Sequence, residues 1–239
     1  MKNILKNIVN RKIGNSEIVE VKLLDSEDEK NIFLPTASDA LTITELYNQI
    51  IFFYEAGISQ LTAKLEILKE EFQACHNRNP IEGIKSRVKS PESIKEKMER
   101  KHLTLTLSSM IKNIMDIAGV RVVCPFISDV YYIAEFLRKQ EDIEILRVKD
   151  YIENPKINGY RSLHLIVMVT VHFSDHKCNV PVEIQLRTMA MEFWATLEHQ
   201  LRYKKNRDHE ETMQRQLKKC ADIITTADDR MQSLADQWL

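Results

Sequence analysis

Apolar residues recur at three- and four-residue steps from about Ser38 onward: Tyr47, Ile50, Tyr54, Ile58, Leu61, Leu65, Leu68 and Phe72 fall on one stripe. That spacing matches the 3.6-residue turn of an α-helix, so the stretch predicts one long helix, or two in line with a bend at Gly57. The pattern then changes. Runs rich in Val and Ile over 117–124, 143–148, 163–173 and 180–186 predict strands. Residues 128–140 predict a capped amphipathic helix with Val130, Ile133, Ala134 and Leu137 inward. A further helix over 191–199 sets Phe193 with Leu197, Trp194 with Glu198 and Ala195 with His199, mostly as core packing. The fold class is α+β: a mixed β-sheet flanked by helices, with long helices at both ends of the chain.

Near the C-terminus, Met213, Leu217, Cys220, Ile224, Ala227, Met231, Leu234 and Trp238 are spaced 4-3-4-3-4-3-4. A heptad seam of that length must be covered, either by its own domain or by a partner subunit. The long N-terminal helix is a candidate for the other side. The chain thus divides into an arm without visible chemistry (1–37), a central domain (38–205) and a C-terminal heptad helix (206–239).

Composition narrows the picture little. With 44% hydrophobic and 29% charged residues over 239 positions, the chain can bury a sizeable core without disulfides. A net charge of −1 gives no overall pull towards nucleic acid or membrane, so any phosphate binding must come from local clusters. Cys75, Cys124, Cys178 and Cys220 are dozens of residues apart, which argues against zinc and against a secreted disulfide framework. No stretch reads as a signal peptide or membrane span, and the expected compartment is the cytoplasm.

Local clusters exist. In Lys85-Ser86-Arg87-Val88-Lys89 an extended backbone projects Lys85, Arg87 and Lys89 to one side, and three cations in a row need an anion. Ser90-Pro91 then reads as an N-cap with proline in the first turn, opening a helix that carries Ser93, Lys95, Lys97, Arg100 and Lys101. Glu183, Gln185 and Arg187 line one face of a strand whose other face, Val182, Ile184 and Leu186, is apolar. Half-buried charge is costly unless it is paired or used. Asp116, at the mouth of the 117–123 run, is either a turn residue or a ligand for a hard cation such as magnesium, with Glu183 as the natural second carboxylate. Such a pair suits in-line displacement on phosphorus, one as metal ligand and the other as metal neighbour or general base. In Lys156-Ile157-Asn158-Gly159-Tyr160-Arg161-Ser162-Leu163-His164 an Asn-Gly turn precedes a strand, with Tyr160, Ser162 and His164 on one face. This is either a tight loop with a half-buried tyrosine or a purine pocket, where stacking is worth about 1–3 kcal/mol per base.

In order, these blocks resemble the synthetase domain of the RelA/SpoT family, which makes the alarmones ppGpp and pppGpp. The matching pieces are Ser86-Arg87-Val88-Lys89-Ser90 with its Lys-rich helix, Asp116-Ile117-Ala118-Gly119-Val120-Arg121, Asn158 to His164, Glu183-Ile184-Gln185-Leu186-Arg187-Thr188, and Phe193-Trp194-Ala195 running to Glu198-His199. The resemblance implies a nucleotidyltransferase-like fold and transfer of the β,γ-pyrophosphate of ATP to the 3′-hydroxyl of GDP or GTP, with Mg2+ and release of AMP. It implies that Arg87, Lys89, Ser93, Lys97 and Arg121 serve ATP, and that Asp116 and Glu183 hold the metal, Glu183 also as base. Lys156, Asn158, Tyr160, His164, Gln185 and Arg187 are implied for the guanine nucleotide. Lys149, Lys156 and Arg161 are candidates for its 5′-phosphates. Ser86 departs from the family's usual glycine. No His followed directly by Asp occurs, the dyad of the family's hydrolase domain, so a hydrolase activity is not expected, and the chain is similar to the stand-alone small alarmone synthetases, which assemble as homotetramers. Single-stranded RNA is a candidate regulator, and a non-catalytic guanine-nucleotide or RNA sensor is the alternative reading.

Overall fold

The structure is a computed structural model and describes residues 37–76, 78–203 and 210–238; the N-terminal arm lies outside them but for its last residue. Helix α1 (Ala37–His76) is unbroken over 40 residues. Gly57 therefore does not bend it. A Cβ there would sit 2.9 Å from Val180 Cγ1, so the glycine lets the helix press directly onto the sheet.

After α1 come β1 (Gly83–Val88), α2 (Pro91–Arg100), α3 (Leu107–Asn113), β2 (Ala118–Cys124), α4 (Ile127–Arg138), β3 (Ile143–Asp150), β4 (Leu163–His172), β5 (Lys177–Thr188), α5 (Met189–Tyr203) and α6 (Glu210–Trp238). The four apolar runs are strands within a few residues of the expected bounds. Ser90 caps α2 as expected, its side chain accepting from the Ser93 N–H, with Pro91 in the first turn. The short α3, capped by Thr106, had no clear periodic signal.

The sheet order is β1-β2-β5-β4-β3. Only β2 and β5 run parallel; the other three pairings are antiparallel. One face is apolar: Val182, Ile184 and Leu186 join Ile50, Leu61 and Leu65 of α1 and Val130, Ile133 and Leu137 of α4 in the main core. The opposite face carries the polar alternate positions. Contrary to the expected cap at Ser128, the N-cap residue of α4 is Phe126, which offers no side-chain cap. Asp129 bonds back to the Phe126 backbone, and Gln232 of α6 accepts the Ser128 N–H at 2.9 Å and donates to the Ser128 hydroxyl at 3.2 Å.

The heptad seam packs on its own domain over its first half, through Met213, Leu217 and Ile224. The stripe of α6 that packs inward is Leu217, Ala221, Ile224 and Asp228, against Trp194, Ala195 and Tyr160. Cys220 and Ala227 face solvent, and Met231, Leu234 and Trp238 are 54%, 51% and 81% exposed. Small Ala221 admits the 158–160 loop, and Asp228 is held by the Thr188 hydroxyl, so Ala221 and Asp228 join Leu217 and Ile224 on the inward face. α6 packs on α5 and α4, and α1 is committed to the sheet. On α5 the expectation of core packing fails for Phe193 and Leu197, which are exposed, while Met191, Trp194 and Ala195 are buried.

Candidate active site

Strand register builds the site. Lys85, Arg121, Gln185, His164 and Lys149 form one row across all five strands. The next row is Arg87, Gly119, Glu183, Ile166 and Arg147. Gly119 thus lies between a cation and a carboxylate, and a Cβ there would meet nothing closer than 3.8 Å. The missing side chain leaves a notch between Arg87 and Glu183, open to a ligand.

Asp116 closes one end of this notch. Its Oδ2 accepts from Lys89 Nζ at 2.6 Å and also from Lys97 of α2, and its Oδ1 is buried with no partner. Burial works against the Asp116 charge, but the two ammonium groups outweigh it and hold the carboxyl below its ordinary range. Burial also depresses Lys89, only partly opposed by Asp116. Glu183 lies close enough to Asp116 for the two charges to repel, yet hydrogen bonds and charge from His164, with Gln185, outweigh burial and keep Glu183 below its usual range. Both carboxylates are therefore ionised at neutral pH. Among the described residues no cluster of three or more His, Cys, Asp or Glu side chains could enclose a metal alone. Two carboxylates, one with an orphaned oxygen, fit a magnesium ion that completes its shell with phosphate oxygens and water.

On the other flank, hydrogen bonds close a ring. Gln185 donates to Glu183 Oε2 at 2.9 Å, Arg187 Nη2 donates to Gln185 Oε1 at 2.9 Å and to the Tyr160 hydroxyl at 2.7 Å, and that hydroxyl meets His164 Nε2 at 2.7 Å. His164 Nδ1 returns to Glu183 Oε1 at 3.5 Å. The Tyr160 ring is fixed edge-on by Tyr151, His164 and Trp194. Lys156 Nζ lies 4.7 Å from its centroid and 4.8 Å from that of Tyr151. Asn158 Oδ1 accepts the Tyr160 N–H at 3.2 Å, and its amide donates to Glu198 at 3.4 Å. A cavity of about 520 Å³ lies here, lined in part by Tyr151, Lys156, Asn158, Glu198, Met213 and Leu217.

A cation row, an acid pair over a glycine notch and an aromatic shelf thus lie on one sheet face. The family model describing a region found in RelA/SpoT proteins matches residues 86–208, the stretch that carries all three but for Lys85. The chain belongs to the RelA/SpoT family. It is 44% identical over 193 residues to the GTP pyrophosphokinase YwaC of Bacillus subtilis, covering 81% of this chain and 92% of that protein. The crystal structure of small alarmone synthetase 2 from Bacillus subtilis superposes with a TM-score of 0.72 at 41% identity, covering 80% of this chain and 98% of the other. Small alarmone synthetase 1 from the same organism, bound to its product pppGpp, superposes with a TM-score of 0.73 at 32% identity, covering 81% and 98%.

Within this RelA/SpoT domain the structure gathers Asp116, Lys89, Lys97, Glu183, Gln185, Arg187, Tyr160 and His164 into one connected cluster. Arg87 and Ser93 stand exposed at its rim, and the Ser93 hydroxyl is engaged with Ser90. Two expected residues are held by partners outside that cluster's ring. Arg121 is tied at 3.0 Å to Glu192, which also holds Arg187, and Arg161 donates to the Ile152 carbonyl and lies 3.8 Å from Asp229 of α6. Gly119, Tyr151 and Glu192 went unrecognised from sequence. Tyr151 and Glu192 belong to no spacing pattern with their partners, whereas Gly119 inside an apolar strand was itself a sign of close approach.

Proposed function

We propose that this RelA/SpoT-family chain is a GTP pyrophosphokinase that moves the β,γ-pyrophosphate of ATP to the 3′-hydroxyl of GDP or GTP, giving ppGpp or pppGpp and AMP. The observation that carries this reading is the notch at Gly119, with Arg87 on one side, Glu183 on the other and Asp116 at its mouth. Arg87, Lys89, Ser93 and Lys97 receive the ATP phosphates. Arg121, on leaving Glu192, adds to them. Asp116 and Glu183 would hold Mg2+, which would supply neutralisation of charge on the transferring phosphates. Glu183 accepts the proton of the attacking 3′-hydroxyl, whose oxygen bonds to the β-phosphorus as the bond to the AMP oxygen breaks. Tyr160 stacks the guanine and Asn158 bonds its edge, with His164, Gln185 and Arg187 fixing the shelf. Lys156 swings from the aromatic rings to the acceptor's 5′-phosphates.

The exposed Met231, Leu234 and Trp238 support assembly into a homo-oligomer, a tetramer by family likeness. No described helix is long and apolar enough to cross a membrane, and a cytoplasmic enzyme is the proposed setting. Incubation of purified protein with ATP, GDP and Mg2+ tests the reading: equimolar AMP and ppGpp are expected. Tight guanine-nucleotide or RNA binding without AMP release would replace it with the silent sensor.

A further inference from the structure

Glu192 stands in the first turn of α5, just past the β5 strand that carries Glu183, Gln185 and Arg187. Its two oxygens are divided between two strands. Oε1 accepts from Arg121 of β2 at 3.0 Å, and Oε2 accepts from Arg187 Nη1 at 2.7 Å. Arg187 is 4% exposed and its other contacts are neutral: Gln185, the Tyr160 hydroxyl and, at 3.4 Å, the Ser162 hydroxyl. Glu192 is the carboxylate in direct contact with this buried cation. A guanidinium is planar, so fixing Nη1 fixes where Nη2 points. Here Nη2 points at the Tyr160 hydroxyl, and the guanidinium carbon also lies 5.2 Å from the Tyr160 centroid.

We propose that Glu192 is a positioning residue for the guanine acceptor, acting through Arg187 to hold the Tyr160 ring at the angle on which the base stacks. It touches neither substrate. Its bond to Arg121 adds a second consequence: weakening Glu192 releases a cation on the ATP side, so ATP binding is not weakened along with that of GDP. The inference rests on the pyrophosphokinase reading, and wild-type protein that makes no AMP from ATP and GDP would defeat that reading without bearing on the Glu192–Arg187–Tyr160 geometry.

The test uses the full chain with Glu192→Gln, Tyr160→Phe and the double variant. Tyr160→Phe keeps the ring but removes the oxygen that Arg187 grips. The expected result is a rise of about tenfold in KM for GDP in Glu192→Gln, equivalent to about 1.4 kcal/mol, with KM for ATP unchanged or lowered. Residues in one hydrogen-bond network are not additive, so the double variant should be no worse in GDP KM than the more affected single one. Equal rises in both KM values, loss of kcat alone, or multiplying effects in the double variant would each overturn the proposal. Should Glu192→Gln fail to fold, Arg187→Lys, which keeps the charge but not the planar fork, is expected to give the same GDP-specific rise; an unchanged GDP KM there overturns it too.

Discussion

Gly159 offers a measurable link between α6 and the acceptor shelf. It has φ +89°, and a Cβ added there would lie 2.4 Å from the Ala221 Cβ. Gly159→Ala therefore carries two separate costs. The left-handed backbone costs a non-glycine residue about 1–2 kcal/mol, and the overlap with α6 adds roughly 1–3 kcal/mol, as for other overpacked sites. The sum, about 2–5 kcal/mol, is a large share of the stability of a domain this size. Ala221→Gly opens the space in α6 at about 1 kcal/mol of helix propensity. The double variant should then recover the overlap cost and keep the backbone cost. Urea denaturation of wild type, both singles and the double gives the coupling energy directly, with about 1–3 kcal/mol expected. Because Asn158 and Tyr160 flank Gly159, the single Gly159→Ala should also raise KM for GDP, and Ala221→Gly should partly reverse it. A cost below about 0.5 kcal/mol for Gly159→Ala, with no coupling, would refute the packing of α6 on this loop.

Other outcomes follow from the same geometry. Asp116→Asn and Glu183→Gln should abolish AMP release while circular dichroism and nucleotide binding by calorimetry stay near wild type; product formation by Glu183→Gln at wild-type rate would remove its role as base. Arg87→Ala removes one charge-assisted phosphate contact and should cost about 1.5–3 kcal/mol in kcat/KM for ATP, read in steady-state assays. Burial holds the Asp228 carboxyl above its ordinary value, against its bond from Thr188 and the nearby Arg161 charge. The folded chain therefore binds this proton more readily than the unfolded one, and the carboxyl lowers stability at pH values above its folded pKa. Asp228→Asn should accordingly be more stable relative to wild type at pH 7 than at pH 4, measured by urea unfolding; a pH-independent difference would contradict the shift. Met231→Glu with Leu234→Glu should lower the mass seen in light scattering if the exposed end of α6 joins subunits.

Elements with a strong local signal were legible from the chain alone. The α1 stripe, the Val- and Ile-rich strands and the Ser90-Pro91 cap depend on neighbours no more than four residues away, whose spacing is written in the sequence. So were the cation row of β1 and the Glu183-Gln185-Arg187 face, because a period of two needs only an extended backbone. The chain order of these blocks likewise carried the family resemblance. Tertiary structure alone decided who meets whom. Gly119 became a notch only when β2 paired with β1 and β5 in one register, and Arg121 was drawn to Glu192, 71 residues away. How the α6 seam divides was decided in the same way: Met213, Leu217 and Ile224 face their own domain while Met231, Leu234 and Trp238 stay exposed, with Ala221 against Gly159 and Asp228 on Thr188 as contacts across 62 and 40 residues of chain that no helical period records. Periodicity describes which side of an element is apolar, whereas partner choice depends on the packing free energy of surfaces that the chain brings together only on folding.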